Sequence, residues 1–141
     1  IAADNAKFGQ NGPRVASPAD GYIVSHLALA IGIKKAKEMW MLCRRYSAQE
    51  ALQMGLVNAV VPLETIDEEV DKWCEELLSL SPGCLEILKA TFNTFIDSMP
   101  KLGRHSSMLY PDWFDSEECK EGIQAFVEKR KPNFWKTRKT T

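Results

Sequence analysis

Asp20 is the side chain best suited to chemistry in the stretch Phe8–Tyr22, FGQNGPRVASPADGY. Asp20 is the only carboxylate in it, so a proton transfer made from this stretch would fall to that residue. The same carboxylate could instead cap a helix opening at Tyr22, and the sequence alone leaves both roles standing. Gly9, Gly12 and Gly21 let the backbone turn and let a ligand come close, because they carry no Cβ. Pro13 and Pro18 fix φ at their own positions and push Gly12 and Ser17 towards extended conformations. Punctuation of this density, leading into a helix, marks either a binding loop or a plain strand–helix connection.

Other reactive types are scattered. His26 falls on a helical pattern and His105 in a weakly patterned segment; without a partner motif, both read as structural or surface histidines. There is no Ser-His-Asp order, no glycine-rich phosphate motif and no metal-ligand cluster. Cys43, Cys74, Cys84 and Cys119 form no Cys-x-x-Cys pair and are expected to be reduced, mostly buried thiols of a cytosolic protein. Trp40 reads as a core residue on its helix. The run FVEKRKPNF, Phe126–Phe134, is either a solvated helix end whose cations suit the C-terminal dipole or a clamp. A clamp would set an aromatic ring against a base and lysines against phosphates.

The elements that must hold these residues are mainly helical. Ile1–Phe8 reads as the end of a strand. Ile23, Leu27 and Ala30 place a helix over Tyr22–Ile31, closed by Gly32. A second follows over Ile33–Arg44, with Ala36, Met39, Trp40 and Cys43 on one face. Ser47 with Glu50 predicts a capping box and a short helix ended by Gly55; Leu56–Val61 predicts a strand. Thr65 with Glu68 predicts a second capping box, opening a helix with Ile66, Val70, Trp73, Leu77 and Leu80 on one stripe. Ser81 predicts the cap of a helix carrying Leu85, Leu88, Phe92 and Phe95. Pro100–Pro111 is weakly patterned. Asp115 is expected to cap a last helix reaching about Arg130, with Ile123 and Phe126 inward and Pro132 beyond it. So little strand cannot form a free-standing sheet.

A net charge of −1 supplies no basic field for nucleic acid, and 45% hydrophobic with 26% charged residues marks a globular chain. Its apolar runs fall well short of the roughly 18 residues a bilayer span needs. No signal peptide opens the chain, and Ile1, standing inside a predicted strand, points to a chain cut from a longer one.

Together these segments resemble the C-terminal half of the crotonase (enoyl-CoA hydratase/isomerase) superfamily. The matching pieces are Ala2–Asp4 leading to FGQ at Phe8–Gln10, the Gly/Pro loop and the helix to Gly32. RYSAQEALQMGLVNAVVP, Arg45–Pro62, is the most specific of them, and SPGCLEILK and EGIQAFVEKRKPNF match two later helices. FGQNGPRV, KEMWMLCRRYSAQEALQMGLVN and EKRKPNF are similar to the branch of 1,4-dihydroxy-2-naphthoyl-CoA synthase and its relatives that open alicyclic ketone rings.

The resemblance implies an α/β fold: a spiral of ββα turns, of which residues 1–62 hold the end with the active-site loop. Residues 63–141 would be a helical region for assembly into trimers or hexamers. It implies an acyl-CoA substrate, no tightly bound cofactor, and a thioester oxyanion held by two backbone N–H groups. Both oxyanion segments would lie in an N-terminal half upstream of Ile1. Hydratases of the family carry a Glu at the position of Gly12. In the naphthoate synthase branch a Gly there leaves room for bicarbonate, held by residues matching Gln10, Asn11 and Trp40. Phe126 and Lys129 match positions that contact the adenine and phosphates of CoA. Ser17 is retained. The branch's catalytic Asp falls at Ala19, with Asp20 next to it, and its catalytic Tyr falls at Phe114, with Tyr110 nearby. These departures favour a relative that opens a β-keto thioester ring with water over ring closure. The competing implications are a plain enoyl-CoA hydratase or isomerase, which the missing Glu at Gly12 disfavours, and a non-catalytic assembly or CoA-binding module.

Overall fold

The structure, a computed structural model, describes residues 1–19, 21–98 and 108–137. Its strands are short and paired two by two. β1 (Ala2–Ala3) lies parallel to β4 (Val60–Val61), with Ala2 opposite Val60. β2 (Lys7–Gly9) lies antiparallel to β3 (Arg45–Ser47), with Phe8 opposite Tyr46. The single strand expected over Ile1–Phe8 is therefore two, because the Ala6 N–H turns back to the Ala3 carbonyl. The strand expected over Leu56–Val61 shrinks to its last two residues. The N–H groups of Leu56 and Val57 both go to the Ala51 carbonyl instead of to a ladder.

Helix α1 (Tyr22–Ile31) and helix α2 (Ile33–Leu42) meet at Gly32 and pack on each other. Leu27, Ala36, Met39 and Tyr46 form the core, with Ala28, Ile31, Trp40, Met54 and Leu56 packed around it. The Tyr46 hydroxyl donates to Glu38 at 2.8 Å and ties β3 to α2. That bond, with Lys35 and Arg44 beside it, holds the Glu38 carboxyl below its usual range. Helix α3 (Ala48–Gln53) carries the predicted capping box: the Ser47 hydroxyl accepts from the Glu50 N–H, and the Glu50 carboxylate accepts from the Ser47 N–H at 2.7 Å.

Helix α4 (Ile66–Leu78) opens without the box expected at Thr65. A 3-10 turn over Leu63–Thr65 precedes it, and the Thr65 hydroxyl donates to the Pro62 carbonyl at 3.2 Å. Helix α5 (Pro82–Asp97) is capped by Ser81, as the sequence predicts. Neither α4 nor α5 buries a residue, and Leu77, Leu80, Leu88, Phe92 and Phe95 are more than half exposed.

The last long helix, α6 (Glu117–Val127), is capped by Ser116 and not by Asp115, which stands in a 3-10 turn over Trp113–Asp115. It ends before Arg130, because Lys129 turns left-handed at φ 55° and the Arg130 N–H closes onto the Ala125 carbonyl. Its buried face is Cys119, Gly122 and Ala125, while Ile123 and Phe126 point outward at 56% and 71% exposure. The small residues face inward because this helix sits directly on backbone. A short helix α7 (Phe134–Thr137) follows. All four cysteines are free; Cys43 and Cys119 are buried, whereas Cys74 and Cys84 are exposed, contrary to the expectation of mostly buried thiols.

Candidate active site

The glycine–proline loop folds as a 3-10 turn over Gly12–Val15. Pro13 opens it, where a missing N–H costs nothing and φ is already fixed. The turn closes when the Ser17 N–H reaches the Gly12 carbonyl at 3.0 Å, with Ala16 between them left-handed at φ 52°. Gly12 is required by that closure. A Cβ there would lie 2.5 Å from the Ser17 carbonyl oxygen and 3.9 Å from Cζ3 of Trp40. The position therefore holds no side chain unless the turn opens.

Three contacts from distant elements fix the turn. Arg14 donates to the Cys43 carbonyl at 3.0 Å, a free acceptor at the end of α2, where a cation also suits the helix dipole. Trp113 Nε1 donates to the Ala16 carbonyl at 2.9 Å across 97 residues of chain. Gly122 of α6 packs so closely that a Cβ on it would lie 2.5 Å from the Ala16 Cβ. The sequence pattern singles out none of these three residues as positioning the turn, and it predicts Ile123 and Phe126, not Gly122, on the inward face of α6.

A cleft of about 400 Å³ opens beside the turn, lined by Pro13, Ser17, Val24, Trp40, Trp113 and Glu118 among others. Trp40 Nε1 is buried and has no hydrogen-bond partner. Leaving such a donor unpaired costs about 1–3 kcal/mol. A second hollow of about 290 Å³ on the α6 side is lined by Ser17, Phe114, Cys119, Ile123 and Phe126. A third, larger cleft of about 920 Å³ is lined by Asn11, Arg14, Arg45, Phe126, Lys131 and Phe134, with others, and carries a basic, aromatic surface.

The predicted site residues thus divide. Gly12, Ser17 and Trp40 come together at the first cleft. Asn11 and Phe126 line the basic one. Gln10 and Lys129 line none of these hollows, and Lys129 instead forms the left-handed end of α6. Asp20 and His105 lie outside the described residues. His26 is exposed and stacks obliquely on Tyr22, with ring centres 5.2 Å apart. For bicarbonate, Trp40 Nε1 is a fitting donor, but Gln10 and Asn11 do not line the cleft with it. Among the described residues no cluster of side chains could hold a metal ion. No helix among them is long and apolar enough to cross a membrane.

The basic cleft is closed by a tight ionic strap. Arg130 makes two bonds to Glu121, at 2.6 and 2.8 Å, and the Asn133 N–H adds a third at 2.8 Å. Arg130 first, and then the Asn133 N–H, pull the Glu121 carboxyl down from the usual 4.5 to about 2.

Comparison with known proteins follows this geometry. The profile of the enoyl-CoA hydratase/isomerase family matches residues 1–138. An enoyl-CoA hydratase from Mycobacterium avium subsp. paratuberculosis is 32% identical, with a TM-score of 0.73 over 93% of this chain and 54% of its own. An enoyl-CoA hydratase from Bacillus anthracis is 31% identical, with a TM-score of 0.62 over 93% and 51%. A methylmalonyl-CoA decarboxylase shares the fold at a TM-score of 0.84 and 23% identity, over 93% and 52%. This chain spans about half the length of these solved structures. Its fold is crotonase-like, and with nearly all its residues matched the chain belongs to the enoyl-CoA hydratase/isomerase family.

Proposed function

We propose that this chain supplies one wall of the active site of a CoA-thioester enzyme of the naphthoate synthase type. The enzyme would stabilise a thioester enolate while a C–C bond is made or broken on a cyclic acyl-CoA, with ring opening by water favoured. One observation carries this choice over hydration. The turn at Gly12 excludes any side chain, so the Glu that hydratases carry there has no place in this loop geometry. The unpartnered Trp40 N–H supports a cleft built to receive a polar acyl group. CoA itself would lie towards the basic cleft, where Phe126 offers a ring and Arg45 and Lys131 offer charge. Lys129 keeps its proposed phosphate contact as an exposed cation at the end of α6. The second reading is an enoyl-CoA hydratase, favoured by the printed names of the two relatives above 30% identity.

Product analysis on the full-length protein separates the two. With a β-ketocycloalkane-carboxyl-CoA the proposed enzyme consumes one water and gives an open-chain carboxylate still esterified to CoA. With a straight-chain 2-enoyl-CoA it gives little or no 3-hydroxyacyl-CoA. Rapid hydration of the enoyl ester, with the cyclic ester untouched, would install the hydratase reading.

A further inference from the structure

We propose that Glu118 is a catalytic residue of the Trp40 cleft, the carboxylate that takes and returns a proton at the acyl part of the bound thioester. The inference rests on the reading above that this cleft receives the acyl group. At the two loop positions where the family resemblance would put a carboxylate there is none: Gly12 admits no side chain and Ala19 has only a methyl group. Among the described residues that line the cleft, Glu118 is the one that ionises. It stands in the first turn of α6, on a helix and not on a loop, and α6 is locked to the 3-10 turn by the Gly122 contact. A group mounted on such an element keeps its aim.

The other charges nearby are engaged or lie off the cleft. On its own helix Glu117 takes Lys120 at 2.7 Å, and Glu121 takes Arg130. On the turn, Arg14 is bound to the Cys43 carbonyl. On α2, Lys37 and Glu38 do not line the cleft, and neither do Asp112 or Asp115 before α6. Glu118 accepts no hydrogen bond among the described residues, so its lone pairs are free for a substrate or a water. A free carboxylate in an otherwise apolar lining can take and return a proton at a substrate bound there.

For ring opening the step balances as follows. Glu118 takes a proton from water as its oxygen bonds to the ring ketone carbon. The bond from that carbon to the α-carbon breaks, and its electron pair becomes the thioester enolate. Glu118 then returns the proton to the α-carbon, and the new carboxylic acid ionises to solvent. One water is consumed and nothing is oxidised.

The test compares variants of the full-length protein on whichever acyl-CoA the wild type turns over. Glu118→Gln is expected to lower kcat by at least about 10²-fold, to remove the acidic limb of the pH–rate profile, and to leave thioester Kd and melting temperature unchanged. Glu118→Asp should recover part of the rate, and Glu118→Ala should be rescued by added formate. Glu117→Gln, one residue away and paired with Lys120, should be silent. A Glu118→Gln rate within about 3-fold of wild type, with the pH profile intact, overturns the assignment. So does a loss that follows melting temperature and resists formate. An inactive Asp20→Asn beside an active Glu118→Gln, or wild-type turnover that rises with bicarbonate while Glu118→Gln stays active, places the base elsewhere. The identity of the wild-type product tests the proposed function separately, because the Glu118 ratio can be read on ring-opened or hydrated product alike.

Discussion

A Cβ added to Gly122 would lie 2.5 Å from the Ala16 Cβ and 2.7 Å from the Val15 carbonyl group, whereas one added to Gly83 would meet nothing within 4 Å. Both glycines stand in helices, where Ala is ordinarily better by about 0.5–1 kcal/mol. At Gly83 that gain should appear in full. At Gly122 the neighbour is backbone and cannot step aside, so overpacking of roughly 1–3 kcal/mol outweighs the gain. Equilibrium unfolding of the two variants is expected to show opposite signs, with Gly83→Ala stabilising and Gly122→Ala destabilising. This contrast also shows what the sequence could tell. Gly12 stood out because loop chemistry marks it locally, whereas Ser17 and Trp40 became candidates only through the family resemblance, spacing alone having read Trp40 as core. Arg14, Trp113 and Gly122 were not legible, since each meets a partner far along the chain: 29 residues away for Arg14 and 97 for Trp113.

At the scale of elements, local rules decided which predictions succeeded. The Ser47–Glu50 box formed because both partners lie within one turn and the N-cap backbone is extended at ψ 166°. The same spacing at Thr65 and Glu68 failed, because the 3-10 turn before it leaves Thr65 at ψ 9° with its hydroxyl bound backwards. The α6–α7 connection is held by Glu121, whose depressed pKa fixes a sign. A carboxyl lowered on folding stabilises fully above its unfolded value of about 4.5 and loses that stabilisation as pH falls towards about 2. The strap is therefore expected to release between those two values. The Asn133 amide resonance should move across that window in the wild type and be insensitive to it in Glu121→Gln.

For the whole molecule, α4 and α5 leave their apolar stripes uncovered among the described residues. Phe92 is 66% and Ile87 68% exposed. Exposed apolar stripes of this kind mark contact with more protein, and we expect them to be covered in a trimer or hexamer of the full-length protein. Phe92→Glu should lower the mass seen by light scattering to that of a smaller species, while Glu86→Lys on the same helix should not. The sequence placed this stripe correctly at helical spacing, yet spacing does not say whether the covering surface belongs to the same chain.

The Trp40 cleft is the proposed place where the acyl group is received, and the tryptophan N–H groups report on it separately. Trp113 Nε1 already donates to Ala16 and Trp73 Nε1 to Glu69, while Trp40 Nε1 has no partner. In ¹⁵N-labelled full-length protein titrated with a cyclic β-ketoacyl-CoA, the Trp40 indole resonance is predicted to move downfield to saturation as it gains an acceptor. The Trp73 resonance should hold its position. A Trp40 resonance that stays in place while the thioester binds would contradict the assignment of this cleft.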